Sequence, residues 1–116
     1  MAVHGIGDAV SAAAAGVTQA ELRLSGVWHI HSVSLQNEDA DAGEAGMIMI
    51  QFGADAYEAD RTWHPLEIGT ARAGAPMLVM CGFTVKGTCL IVGQVDHAVA
   101  IAHRLTVLAW KVRDRG

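Results

Sequence analysis

Between Met77 and Val112 the chain is apolar on both faces of any strand it can form. These 36 residues carry only four formal charges, at Lys86, Asp96, Arg104 and Lys111. The segments MLVMCGFTV, TCLIVGQV and AVAIAHRLTVLAWKV read as three or four short strands separated by Gly, Asp and His turns. A half-buried strand alternates apolar and polar residues, so runs apolar on both faces imply burial on both sides. A single domain is only two packed layers thick. The second apolar face is therefore expected to meet another copy of the chain or a larger assembly.

The β pattern begins at Glu21. ELRL alternates and breaks at Ser25-Gly26, and VWHIHSVSL has the β-branched and aromatic content of a pleated surface. NEDADAGEAG is acidic, small and Gly-punctuated, which reads as an exposed loop. MIMIQFG is a strand, ADAYEADRTWH is a loop ending at Pro65, LEI is a brief strand, and GTARAGAP is a turn-rich link. About eight short strands with Gly-rich turns predict an all-β fold, an antiparallel β-sandwich or jelly roll. Residues 1–20 are low in complexity, with Gly5, Gly7, Ala12 to Ala15 and Gly16. They are expected to be an extended N-terminal arm ahead of a sandwich domain over residues 21–116.

Composition narrows the function classes. The length of 116 residues fits one domain with its own core. The hydrophobic share of 52% and mean hydropathy of +0.30 are high for a soluble monomer, and the 13 glycines and many alanines supply much of the small-residue content. A net charge of −4 and a pI near 5.8 give no electrostatic footprint for nucleic acid. The alternation Lys111, Arg113, Arg115 reads as a solvated chain end. The uncharged apolar run Ala73 to Val85 is shorter than the ~18 residues of a spanning helix. The N-terminus lacks a basic region and contains Asp8, so neither a signal peptide nor a membrane role is expected. Cys81 and Cys89 read as buried small hydrophobes on neighbouring strands rather than as a disulfide.

The sharpest candidate chemistry is His29-x-His31. On a regular strand, residues two apart share a face, so both imidazoles are candidate ligands to one metal ion. Three readings stay open: strand histidines with ordinary hydrogen-bond partners, a small cupin-like metal site, and a site on a threefold axis. The cupin pattern wants a Glu a few residues on, whereas the nearest acid is Glu38, and His97 and His103 lack its Pro-Gly context. The threefold arrangement resembles the tips of some phage spikes. The Glu38, Asp39, Asp41, Glu44 cluster breaks the order of a calcium loop. No Gly-x-Ser-x-Gly nucleophile or phosphate loop occurs, so no enzyme activity is expected. Trp28 and Trp110 read as core or interface anchors. Tyr57 and Trp63, in a loop, are candidates for recognition, which would suit a carbohydrate-binding sandwich.

Two blocks carry a family resemblance: AELRLSGVWHIHSVSLQNEDADAGEAGMIMI, and ARAGAPMLVMCGFTVKGTCLIVGQVDHAVAIAHRLTVLAWKV with its Pro-led strand and G-F-T-V-K-G-T turn. Their order resembles the small jelly-roll proteins on tailed-bacteriophage virions, head-decoration proteins and the bases of head fibres. The resemblance implies a tumour-necrosis-factor-like sandwich, assembled as a homotrimer on a capsid or tail surface after synthesis in the host cytoplasm. The Met- and Cys-rich centre and the H-x-H strand depart from that pattern. On this reading the chain is a non-enzymatic virion structural protein without an obligatory cofactor. Met77, Val79, Leu105, Val107, Leu108 and Trp110 are expected to mediate self-association. Residues 1–20 are expected to contact the major capsid or another virion protein.

Overall fold

A computed structural model describes residues 4–10, 14–38, 44–53, 58, 60–72 and 75–113. Among them eight strands form: β1 (His4–Val10), β2 (Ala14–Leu24), β3 (Val27–Asn37), β4 (Glu44–Phe52), β5 (His64–Ala71), β6 (Met77–Lys86), β7 (Cys89–Ile101) and β8 (His103–Arg113). They build two four-stranded antiparallel sheets. Sheet A has the order β1-β8-β3-β6 and sheet B the order β2-β7-β4-β5. Consecutive strands change sheet at every connection except β4 to β5, which gives the eight-stranded jelly roll expected from the strand spacing.

The first twenty residues correct the expected boundary. β1 pairs with β8 and β2 pairs with β7, from Ala14↔Ile101 to Leu24↔Cys89. Residue 20 thus lies inside a strand, and no free arm precedes the sandwich over residues 4–10 and 14–20. Small residues leave little side-chain burial to gain there, but the extended backbone has every N–H and C=O to satisfy, and the two sheets supply the partners.

The core lies between the sheets. Sheet A contributes Ile30, Val33, Leu35, Leu105, Val107 and Ala109, and sheet B contributes Leu24, Ile48, Ile50, Ile91 and Val95, all essentially buried. Two glycines of sheet B make room for the larger side chains facing them. A Cβ on Gly46 would lie 2.8 Å from Met77 Sδ, and one on Gly93 would lie 2.7 Å from Leu35 Cδ1. Turns gather at each end: Gly87 N–H donates to Gly26 C=O (2.8 Å) and Gly53 N–H to Thr88 C=O (2.7 Å), while at the other end Glu38 N–H donates to Ala102 C=O (2.9 Å). Gly26, Gly53 and Gly87 have positive φ (110°, 74° and 79°), which these tight turns require.

β7 is apolar on both faces, and the chain itself covers its second face. Leu90 and Val92 point out of the sandwich, where they pack with Met49 and Met47 of β4 in a separate buried cluster. Gln51, fully buried on the same face, ties the β4–β5 connection across it. Its Nε2 donates to the carbonyls of Glu58 (2.8 Å) and Arg61 (3.4 Å), and its Oε1 accepts from Glu58 N–H (3.2 Å). The Glu58–Arg61 ion pair closes this turn. Two-sided burial of β7 therefore needs no second copy.

Candidate functional site

The outer face of sheet A is assembled from β6, β3 and β8, and the register puts its residues in rows. Leu78 lies beside Ser34 and then Thr106, Met80 beside Ser32 and Leu108, and Thr84 beside His29 and Trp110. Leu78 and Met80 are 56% and 61% exposed, whereas Leu108 and Trp110 are half-buried. None of these rows contains a charged residue. Charged residues border it: Asp8 of β1 pairs with Thr106, the Arg104–Glu38 pair (2.6 Å) lies at one end and Lys86 at the other. The face is thus an apolar strip edged by hydroxyls, able to exclude water against a matching surface.

The residues expected to mediate self-association divide by strand parity. Leu105 and Val107 are fully buried between the sheets, Met77 is buried, and Val79 packs against the same core from the edge strand. Inward pointing removes Leu105 and Val107 from any external contact and Met77 from the outer face, which corrects the expectation for them. Leu108 and Trp110 do lie on the outer face. Leu78 and Met80, the most exposed apolar residues of β6, escape sequence reading because β6 is apolar on both faces from Met77 to Cys81 and its parity is invisible without a partner strand. The signal available was Met77 itself: once it is assigned inward, period two sends Leu78 and Met80 outward.

A bulge decides the fate of the histidine pair. β3 pairs Ile30 with Ala109 and Ser32 with Leu108, so His31 is an extra residue without a register partner. Ile30 and Val33 both face the core, so the alternation inverts across His31. His31 thus stands outside the regular alternation on which the shared-face expectation rests. His29 stacks on Trp110 (ring centroids 4.4 Å apart) and its Nδ1 meets Thr84 Oγ1 at 3.2 Å, while His31 Nδ1 meets Ser32 Oγ at 3.2 Å. Among the described residues no group of three or more His, Cys, Asp or Glu gathers at these or any other positions.

The remaining candidates are dispersed. Trp63 is 39% exposed beside His64, whose ring is 5.6 Å from Phe52, so an aromatic group does form at the start of β5. Tyr57, its expected companion, lies outside the described residues. Trp28 packs on the core with Nε1 donating to Ser25 C=O (3.0 Å) and Lys111 Nζ 5.7 Å from its ring. Cys81 and Cys89 are free thiols on different sheets rather than neighbouring strands. Burial raises both thiol pKa values, that of Cys89 to about 11, so neither is an activated nucleophile. His103 is fully buried, with Nε2 donating to Gly93 C=O (2.9 Å) and Nδ1 accepting from Thr18 Oγ1 (3.2 Å). That tautomer makes it a structural cross-link between the sheets. On sheet B, an open depression of about 240 Å³ lies between Val17 and Ile68, floored by Met47 and flanked by Asp96.

No family model and no curated protein matches the chain. Among solved structures it is similar to the Yersinia pseudotuberculosis-derived mitogen, over 89% of this chain and 91% of that one, at 8% identity and a TM-score of 0.37. It is also similar to a chain in the structure of infectious bursal disease virus Gx strain. That match covers 93% of this chain but 33% of the other, at 9% identity and a TM-score of 0.34. At such scores neither likeness adds to what the strand order already establishes about the fold.

Proposed function

We propose that the chain is a non-enzymatic structural subunit that assembles with copies of itself, and that it serves on a virion surface as a head-decoration or fibre-base protein. The observation that carries the reading is the exposure of Leu78 and Met80 in the rows they share with Leu108 and, along the same face, Trp110, rows free of charge across β6, β3 and β8. Burying such side chains is worth about 25 cal/mol per Å² of apolar surface removed from water. An exposed apolar strip of this kind marks a contact surface. The total accessible area of 5836 Å² is close to the roughly 6,000 Å² expected for a folded monomer of 12.2 kDa. Each subunit is thus complete in itself, and assembly would add contacts to a finished fold. The virion setting rests on the sequence resemblance and the jelly-roll architecture together.

Native mass measurement in dilute solution tests self-association, and a stable monomer overturns it. The virion placement is tested by asking whether the chain sediments with intact particles at stoichiometric yield. Recovery in the soluble fraction alone overturns that placement.

A further inference from the structure

Four strands lie at sheet edges: β1 and β6 in sheet A, β2 and β5 in sheet B. An open edge presents unpaired N–H and C=O groups, and proteins protect such edges with charges, prolines and bulges. β1 contains Asp8, and β2 contains Glu21 and Arg23. β5 combines Pro65, Glu67 and a register break opposite Ile48 and Met49. β6 differs, since from Met77 to Val85 it has no charge and no proline and its register break comes only beyond Met80. Such a run, rich in β-formers and uncharged, is the pattern that pairs with other chains when left open.

The side chains of β6 report the same incompleteness. On β3 and β8 the inward residues are fully buried, yet Val79, Cys81 and Phe83 of β6 point inward and remain only half-buried. Their exposed flank is the edge of the sheet. Leu78 and Met80 continue the exposure around the corner onto the outer face.

We infer that a second copy of this chain pairs its β6 with this edge, antiparallel and across a two-fold axis, joining two copies of sheet A into one continuous sheet. An antiparallel edge is self-complementary, because a two-fold axis brings each donor to the acceptor of the same segment in the other copy. The regular part of β6 runs from Met77 to Cys81, before Gly82 takes a positive φ of 68°. Centring the axis on Val79 sets Leu78 opposite Met80 of the other copy and Met77 opposite its Cys81, so every cross-strand pair is apolar. β6 is 10 residues long, so its edge offers roughly 33 Å of strand to a partner. The charged and proline-bearing β5 beside it keeps sheet B out of the junction. The inference rests on the self-assembly reading above and gives it a two-fold dimer as its unit, in place of the trimer implied by resemblance.

The test compares native masses of the full chain and of Leu78→Lys/Met80→Lys, whose changes lie at exposed positions. The expected result is a dimer for the parent, a monomer for the lysine variant, and a heterodimer when that variant is mixed with Leu78→Glu/Met80→Glu. A Leu78→Cys/Met80→Cys variant is expected to oxidise to a covalent dimer. A parent monomer would overturn both self-assembly and this inference. A parent oligomer that persists in the lysine variant, without cross-linking in the cysteine variant, would overturn the edge pairing alone and leave self-assembly standing.

Discussion

Leu35 of β3 crosses the sandwich to rest on Gly93 of β7, where a single added methyl would stand 2.7 Å from its Cδ1 and 3.1 Å from Leu105 Cδ1. The two sheets are spaced by this fit. Gly93 does not have a positive φ, so its role is the space it leaves.

Gly93→Ala is therefore expected to destabilise the fold by about 1–3 kcal/mol through overpacking. Leu35→Ala alone should cost about 2–5 kcal/mol by leaving a cavity. Combined with Leu35→Val, Gly93→Ala should cost less than the sum of the two single changes, because they share one contact. Urea unfolding of the parent, Gly93→Ala, Leu35→Val and the double variant checks this, and strict additivity would contradict the packing described.

The Cys89 thiol makes stability fall in alkali. Its folded pKa is raised from 9.0 to about 11 by burial, so between those values the unfolded state binds fewer protons than the folded state. Stability is full below pH 9 and is lost as pH rises through 11, by roughly 2–3 kcal/mol at the end of the titration. Denaturation midpoints from pH 8 to 11 for the parent and Cys89→Ala isolate this contribution, and parallel curves would contradict it.

Gln51 holds the β4–β5 connection over Met49, Leu90 and Val92. Gln51→Ala should cost about 1–3 kcal/mol and open that connection locally. Trypsin cleavage after Arg61 is expected to accelerate while the far-UV spectrum stays unchanged. Equal cleavage rates would mean that the connection is held by other contacts.

The stack of His29 on Trp110 should appear as a coupling of about 0.5–1.5 kcal/mol in a double-mutant cycle with alanine. Because His31 sits in the bulge, added zinc is expected to leave Tm unchanged. A rise abolished by His29→Ala/His31→Ala would restore the metal reading.

The sequence by itself determined the class of this protein. Strand after strand of β-branched and apolar residues, cut by Gly and Pro, leaves an antiparallel sandwich as the way to bury them, and the strands around Val27–Asn37, Glu44–Phe52 and Met77–Lys86 were legible from local pattern. It also identified Leu108 and Trp110 as residues of an apolar surface. Tertiary structure decided the rest, because each remaining question turned on a partner distant in sequence. Residues 4–10 and 14–20 are strands since β8 and β7 complete their hydrogen bonds, which no local propensity announces. His31 leaves the regular register at a bulge set by the pairing of β3 with β8. β7 is covered by its own chain and β6 is not, although the two read alike, because a strand's second face is filled or left open by what folds over it.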